Sequence, residues 1–271
     1  MSAVPPRGER AEHPAYGLLR PVTSTASVLL ADNPSPMTLD GTNSWVLRAP
    51  DTERCVVVDP GPDDEEHLAR LAAHGPVVLV LLTHGHPDHA DGARRFGERV
   101  GAPVRALDPA LRLGGEGLAG GDVVSAAGLD LRVLATPGHT ADSLSFVVEH
   151  DEPAVLTGDT VLGRGTTVVA HPDGRLMDYL DSLHRIADLP PGTAVLPGHG
   201  PELPDAGEAA RAYLAHREQR LDQVREALRR LGPHAGARDV VEVVYADVDR
   251  ALWPAAELSV HAQLDYLREH G

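Results

Sequence analysis

The heptapeptide Thr83-His84-Gly85-His86-Pro87-Asp88-His89 places three imidazoles and one carboxylate within six residues. Imidazole nitrogen and carboxylate oxygen are ligands that zinc takes in a four- or five-coordinate shell, so this stretch is a metal site in outline. Its four ligands cannot close two metal shells. Three further loops supply the same chemistry: Thr136-Pro137-Gly138-His139-Thr140, Thr157-Gly158-Asp159-Thr160 and Pro197-Gly198-His199-Gly200. Each carries a glycine beside the candidate ligand, which lets the backbone turn tightly near a crowded centre. The total of five His and two Asp suffices for two ions. A carboxylate bridging ions about 3.5–4 Å apart would let both act on one hydroxide, whose pKa would fall to about 7. The nucleophile expected is therefore a metal-bound hydroxide. Taken singly, His139 and His199 read as structural histidines and the heptapeptide as a polar loop. Four segments in agreement favour ligands.

Such loops need strands behind them. Residues 77–82 form an apolar run that ends at the heptapeptide and reads as a buried strand, and residues 90–100 follow as a helix. Short strands are expected at residues 26–30, 44–48, 55–58, 104–107, 130–135, 144–148, 154–156 and 193–196, and those at 130–135, 144–148 and 154–156 are each followed within a few residues by a Gly-containing turn or a charged break. Residues 63–74 and 176–187 have helical spacing, and Asp63, Asp64, Glu65 and Glu66 sit in the first turn of the former, where the helix dipole favours acids. After Pro204 the pattern changes to helices at 206–231, 237–245 and 255–270, the β-branched residues 240–244 arguing against the second. Strands with helices between them suit two sheets covered by helices. Residues 1–20 read as a tail that frays or lies along the surface.

Composition narrows the function. The chain has 271 residues, a formal charge of −16, 42% apolar and 3% aromatic residues, and 24 basic residues that are all Arg. Such a charge repels polyphosphate and sparse aromatics give no platform for stacking bases, so nucleic acid is a disfavoured partner. Cys55 is the only cysteine, which excludes an internal disulfide and multi-cysteine zinc sites, and it reads as a small buried apolar residue. No apolar run approaches a membrane span, and a soluble, cytoplasmic protein is expected.

The order His84-Gly85-His86-Pro87-Asp88-His89, then His139, Asp159 and His199, resembles the metallo-β-lactamase-fold hydrolases. That resemblance implies an α/β fold, an αββα sandwich. It also implies that His84, His86 and His139 hold one metal, that Asp88, His89 and His199 hold the second, and that Asp159 bridges. Asp88 would accept a proton from the nucleophile, and Asp59 would orient a ligand imidazole, the alternative for Asp59 being a simple turn before Pro60-Gly61. Asn33-Pro34 through Thr38, Gly41-Thr42-Asn43, the run 158–163 with 165–168, and the helix holding Tyr213, His216 and Arg217 are similar to the lactamase-beta-two-like subgroup, across residues 22–271. The subgroup includes an endoribonuclease acting on single-stranded RNA and relatives that resemble polyketide thioesterases. Its members end in a winged-helix-like module. Here the sequence stops at Gly271, straight after the helix expected over 255–270, so little or no room for a wing hairpin is expected, and residues 208–271 hold nine Arg against eleven acids.

The expectation is thus a catalytic domain over residues 1–205 and a small C-terminal helical, winged-helix-like module over 206–271. The function expected is that of a dinuclear zinc hydrolase acting on an ester or thioester bond of a small or acyl-carrier-linked substrate. An endoribonuclease and a non-catalytic, metal-stabilised partner-binding protein are the alternatives. Zinc is favoured because His86 stands where redox di-iron members of the fold carry Glu, with manganese and iron as other candidates. Arg164, Thr166 and Thr167, soon after Asp159, meet substrate or simply shape a Gly163/Gly165 turn. Arg217, Arg220, Arg225, Arg229 and Arg230 read as a solvated face with charge pairs, the alternative being a phosphate-facing stripe. His67, His74, His184, His234 and His270 are expected to face solvent. The oligomeric state is left open.

Overall fold

The computed structural model describes residues 15–270. Two sheets form its centre. The first has the order β1 (Arg20–Pro21), β2 (Ala26–Leu30), β3 (Asn43–Leu47), β4 (Cys55–Val58), β5 (Val77–Leu81) and β6 (Val104–Arg105), antiparallel up to β4 and parallel from β4 to β6. The second, in spatial order, has β11 (Ala194–Pro197), β10 (Ala154–Gly158), β9 (Leu144–Val148), β8 (Leu129–Ala135) and β7 (Val123–Ala126), antiparallel except for the β10–β11 pair.

Alternate residues of each inner strand face opposite layers, and both layers are apolar, so the central strands carry no polar face. Trp45, Leu47, Val58 and Leu81 of the first sheet meet Leu131, Val133, Phe146 and Leu156 of the second in one core. The other face of the first sheet, with Val46, Val57 and Val80, packs on Leu68 and Leu71 of α1 (Glu65–Ala72) and Phe96 of α3 (Ala93–Val100). The outer face of the second, with Val147, Val155 and Val195, packs on Tyr179, Leu183 and Ile186 of α4 (Leu176–Ala187) and Ala210 and Tyr213 of α5 (Ala206–Leu231). The layering is αββα. Val224 and Ala227 of α5 continue into a further core with Val240 and Val241 of α6 (Ala237–Val244) and Trp253 and Val260 of α7 (Trp253–His270). Burial of two of its valines outweighs β-branching and makes α6 helical.

Some local expectations shift. The helix expected over 90–100 divides into α2 (Pro87–Ala90) and α3, with Gly92 as the N-cap of α3, where a Cβ would stand 2.8 Å from the Pro62 carbonyl oxygen. Strand β7 is absent from the sequence reading. It pairs with β8 through Ala127 and Gly128, both at positive φ (50° and 75°), and the usual Asn-Gly signal of such a hairpin is replaced by Ala-Gly. Of the expected tail, residues 1–14 lie outside the described residues, while Arg20 pairs with β2 and its guanidinium reaches Glu202 at 2.8 and 2.9 Å. Among the described residues no helix is long and apolar enough to cross a membrane.

Candidate metal centre

Strands β4, β5, β8, β10 and β11 deliver their following loops to one end of the sandwich. Beyond β5 come Leu82, Thr83 and then His84, and α2 begins at Pro87 with His86 as its N-cap residue. Proline at the first helical position and the short turn throw Asp88 and His89 back toward the strand ends. The loop after β8 brings His139, that after β10 brings Asp159, and that after β11 brings His199. Two glycines make these approaches fit. A Cβ on Gly138 would lie 2.3 Å from Tyr179 Cα, and one on Gly198 would lie 2.5 Å from Asp159 Oδ1.

The seven side chains gather as two groups, His84, His86, His139 and Asp159 in one and Asp88, His89 and His199 in the other, each with its ligand atoms within 4.8 Å of one another. His86 Nδ1 is 3.1 Å from His84 Nε2 and 2.9 Å from His139 Nε2, and His89 Nε2 is 3.3 Å from His199 Nε2. The Asp159 carboxylate lies between the groups. Its Oδ1 is 3.3 Å from His89 Nε2 and 3.4 Å from His199 Nε2, and its Oδ2 is 3.6 Å from His139 Nε2.

Behind four of the five imidazoles stands an acceptor for Nδ1. His139 Nδ1 donates to the Val168 carbonyl at 2.6 Å, His199 Nδ1 to the Gly41 carbonyl at 3.0 Å, and His89 Nδ1 to Asp59 Oδ2 at 2.9 Å. Asp59 also accepts the Thr83 amide (2.8 Å) and hydroxyl (2.6 Å), which leaves the Thr83 oxygen free to accept from His84 Nδ1 at 3.0 Å. With Nδ1 donating outward in all four, Nε2 is the atom turned toward the centre. Asp59 sits at φ 52°, a conformation that Asp tolerates better than most residues, and is 1% exposed. The part it plays is bonding rather than only turning.

Electrostatics divide the imidazoles. Burial pushes His84 well below the ordinary histidine value and His139 down to about 4, so both are neutral at pH 7. For His199, burial also works downward, but Asp159 and Asp88 outweigh it and the group is pushed up to about 9. His89 is likewise raised, against burial, by Asp159, Asp88 and Asp59.

The expected substrate residues fall on one cavity of about 300 Å³ that opens beside His139 and Asp159 and runs to α6 and α7. Thr166 is exposed on its wall, and Arg164 is tied by two hydrogen bonds to the Asp40 carboxylate at 2.6 and 3.0 Å. Thr167 is buried and donates to the Asp159 carbonyl at 2.6 Å. Two sequence expectations need correction. His67 does not face solvent: it is 6% exposed with Nε2 2.9 Å from Ser44 Oγ, because its position on α1 turns it toward the first sheet. Arg217 is no part of a solvated face; it is 2% exposed, donates to the Thr167 carbonyl and lies over the Tyr179 ring. Thr42, whose hydroxyl reaches Asp88 Oδ2 at 3.1 Å, and Thr83 lay within quoted motifs without a role, since hydroxyls carry no ligand signature of their own.

Residues 37–199, more than half of the chain, match the family model of the metallo-beta-lactamase superfamily. The chain belongs to that superfamily. Residues 237–271 match the beta-lactamase-associated winged helix domain, and among the described residues this part of the superfamily member is helical, without a strand. A Drosophila melanogaster relative, "Beta-lactamase-like protein 2 homolog", is 32% identical over 272 residues, covering 92% of this chain and 90% of its own. An Aspergillus fumigatus relative, "Atrochrysone carboxyl ACP thioesterase", is 34% identical over 238 residues, covering 80% of this chain and 71% of its own. The crystal structure of a beta-lactamase domain protein from Burkholderia ambifaria superposes with a TM-score of 0.78 at 25% identity, covering 95% of this chain and 90% of that one.

Proposed function

We propose that this superfamily member is a dinuclear zinc hydrolase of ester or thioester bonds, in which His84, His86 and His139 hold one ion, Asp88, His89 and His199 the other, and Asp159 reaches both. The observation that carries this reading is the placement of Asp159 between the two groups, with a buried Oδ1 that makes no hydrogen bond among the described residues. Separations of 2.9 to 3.6 Å between the converging donor atoms are close to the edge, about 3.3 Å, of a tetrahedron with metal–nitrogen bonds of about 2.0–2.1 Å. Five imidazoles and two carboxylates without a thiolate suit zinc, and manganese and iron are the alternatives that metal analysis separates.

Bound there, the ions would polarise the substrate carbonyl and the attacking water. The protein's own contribution centres on Asp88. Burial works to raise its pKa, but His89 and His199 hold it well below the usual carboxylate range, and the Thr42 hydroxyl fixes its orientation. It is ionised at neutral pH, and its position would let it accept a hydrogen bond from the attacking water and relay that proton to the departing thiolate or alkoxide. The products are an acid and a thiol or alcohol. Thr167 keeps the Asp159 backbone in place, and Thr166 lies where substrate would pass.

The apolar wall of Leu39, Leu162, Val248 and Leu252 suits an acyl chain, small or carried on an acyl carrier, and the charge of −16 weighs against a polynucleotide. The likeness to a named ACP thioesterase supports the same class. The deciding experiment measures turnover of zinc-loaded protein on acyl thioesters, single-stranded RNA and a β-lactam side by side, with Asp159→Ala as control. Thioester hydrolysis that disappears in the control is expected. Cleavage of RNA alone overturns the substrate assignment, and full thioesterase activity in the control overturns the mechanism.

A further inference from the structure

We infer that Arg217, Arg220 and His216 of α5 form a carboxylate-binding subsite, so that the preferred substrate is an acyl ester or thioester bearing a second, anionic carboxylate at the far end of its acyl chain. This deepens the hydrolase reading and rests on it for the scissile bond, while the subsite itself is a matter of binding.

All three side chains line the cavity that also contains His139 and Asp159. Further along the same helix the arginines have carboxylate partners. Arg225 pairs with Asp222 at 2.8 Å, and Arg229 and Arg230 pair with Glu226. Arg217 and Arg220 have no carboxylate partner among the described residues, in a chain whose formal charge is −16. A nearly buried guanidinium without a counter-ion is costly, and the cost is offset when an anion enters. Arg217 is 2% exposed, and its Nε makes no hydrogen bond.

His216 adds a neutral donor. Its Nε2 accepts from Arg220 Nε at 3.4 Å, which puts the proton on Nδ1, and Nδ1 is buried without a hydrogen-bond partner. Burial and the two neighbouring arginines lower its pKa, consistent with that neutral tautomer. Arg220 is held from both sides, by Gln223 Oε1 at 2.9 Å on α5 and by the Val244 carbonyl at 3.4 Å on α6, with its guanidinium 4.6 Å from the Tyr245 ring centre. The group is thus rich in donors and, among the described residues, has only neutral acceptors. A carboxylate supplies two oxygens to such a fork.

Leu162, Val248 and Leu252 give the same cavity an apolar part of its wall, which suits methylene groups. A volume of about 300 Å³ holds a short chain. The one tyrosine in the lining, Tyr245, already stacks with the Arg220 guanidinium. These features favour a carboxyacyl group over a nucleotide.

Isothermal titration of zinc-loaded protein with valerate, succinate, glutarate and adipate tests the subsite without any turnover. Every probe has one carboxylate for the metal side, and only the diacids have a second. At least one diacid should bind about tenfold or more tighter than valerate, the ratio should fall to about twofold or less in Arg220→Gln, and it should persist in Arg225→Gln, whose residue pairs elsewhere. Equal affinities in the unaltered protein, or a ratio untouched by Arg220→Gln, overturn the inference. Tighter binding of uridine 3′-monophosphate than of every diacid also overturns it and assigns the subsite to phosphate. Diacid discrimination in a protein that hydrolyses no thioester supports the subsite and removes the hydrolase reading.

Discussion

The Asp59 carboxylate lies 2.9 Å from His89 Nδ1 and receives both the amide and the hydroxyl of Thr83, so one buried acid at the end of β4 sets the orientation of two imidazoles, His89 directly and His84 through Thr83. Asp59→Asn keeps the positive-φ backbone, because Asn tolerates it, while removing the charge. Zinc affinity should fall about 10- to 100-fold with the fold unchanged. A competitive zinc titration with circular dichroism as control checks this, and unaltered affinity would reduce Asp59 to a strand-ending turn.

Metal loading should stabilise the protein through the same seven side chains. At a free zinc concentration about 1,000 times the dissociation constant, the gain is about 4 kcal/mol. Without metal the centre retains ion pairs of His89 and His199 with Asp88 and Asp159, so chelator-treated protein should stay folded but melt at lower temperature. In His86→Ala most of the zinc-dependent increment should vanish. Thermal melts with and without chelator provide the measurement.

Gly138 lies at φ 133°, and a methyl group there would overlap Tyr179 at 2.3 to 2.4 Å. Gly138→Ala therefore has to move either the His139 loop or α4. A loss of about 3 kcal/mol or more in urea unfolding is expected, together with weakened metal binding. Alanine at Gly192, which is also at positive φ but has nothing within 4 Å of its Cβ, should cost only about 1 kcal/mol.

His67 supplies a pH dependence away from the metal centre. Burial lowers its pKa from 6.5 to about 4, so the unfolded chain binds the proton more readily than the folded one. Its contribution is fully present above about 6.5 and is lost as the pH falls toward 4. The loss amounts to about 3 kcal/mol when the shift is converted. Urea midpoints between pH 7.5 and 4.5 should fall less steeply in His67→Gln than in the unaltered protein, and parallel slopes would contradict the assignment.

Much of the centre is legible in the chain because its ligands are spaced locally. His84, His86, Asp88 and His89 fall within one turn-and-helix segment, the loops of Asp159 and His199 follow short apolar runs, and that of His139 follows a run of alternating burial. The helix α5 and its Asp205 N-cap, which accepts from the Glu208 amide at 2.8 Å, are equally local. Strand β7 is hidden because Ala127 occupies a position at φ 50° that sequence patterns assign to Asn or Gly.

The residue types and their order along the chain determine by themselves that enough candidate ligands for two ions, and two sheets covered by helices, are available. Only the tertiary structure decides which acceptor stands behind an imidazole, because Val168, Gly41 and Asp59 use carbonyl or carboxylate oxygens whose partners lie 29, 158 and 30 residues away. It also decides that Arg217 turns inward while Arg225, two helical turns on, pairs at the surface. Both are arginines on one helix, and what separates them is the neighbour each meets: the Tyr179 ring and the Thr167 carbonyl for the first, water and Asp222 for the second.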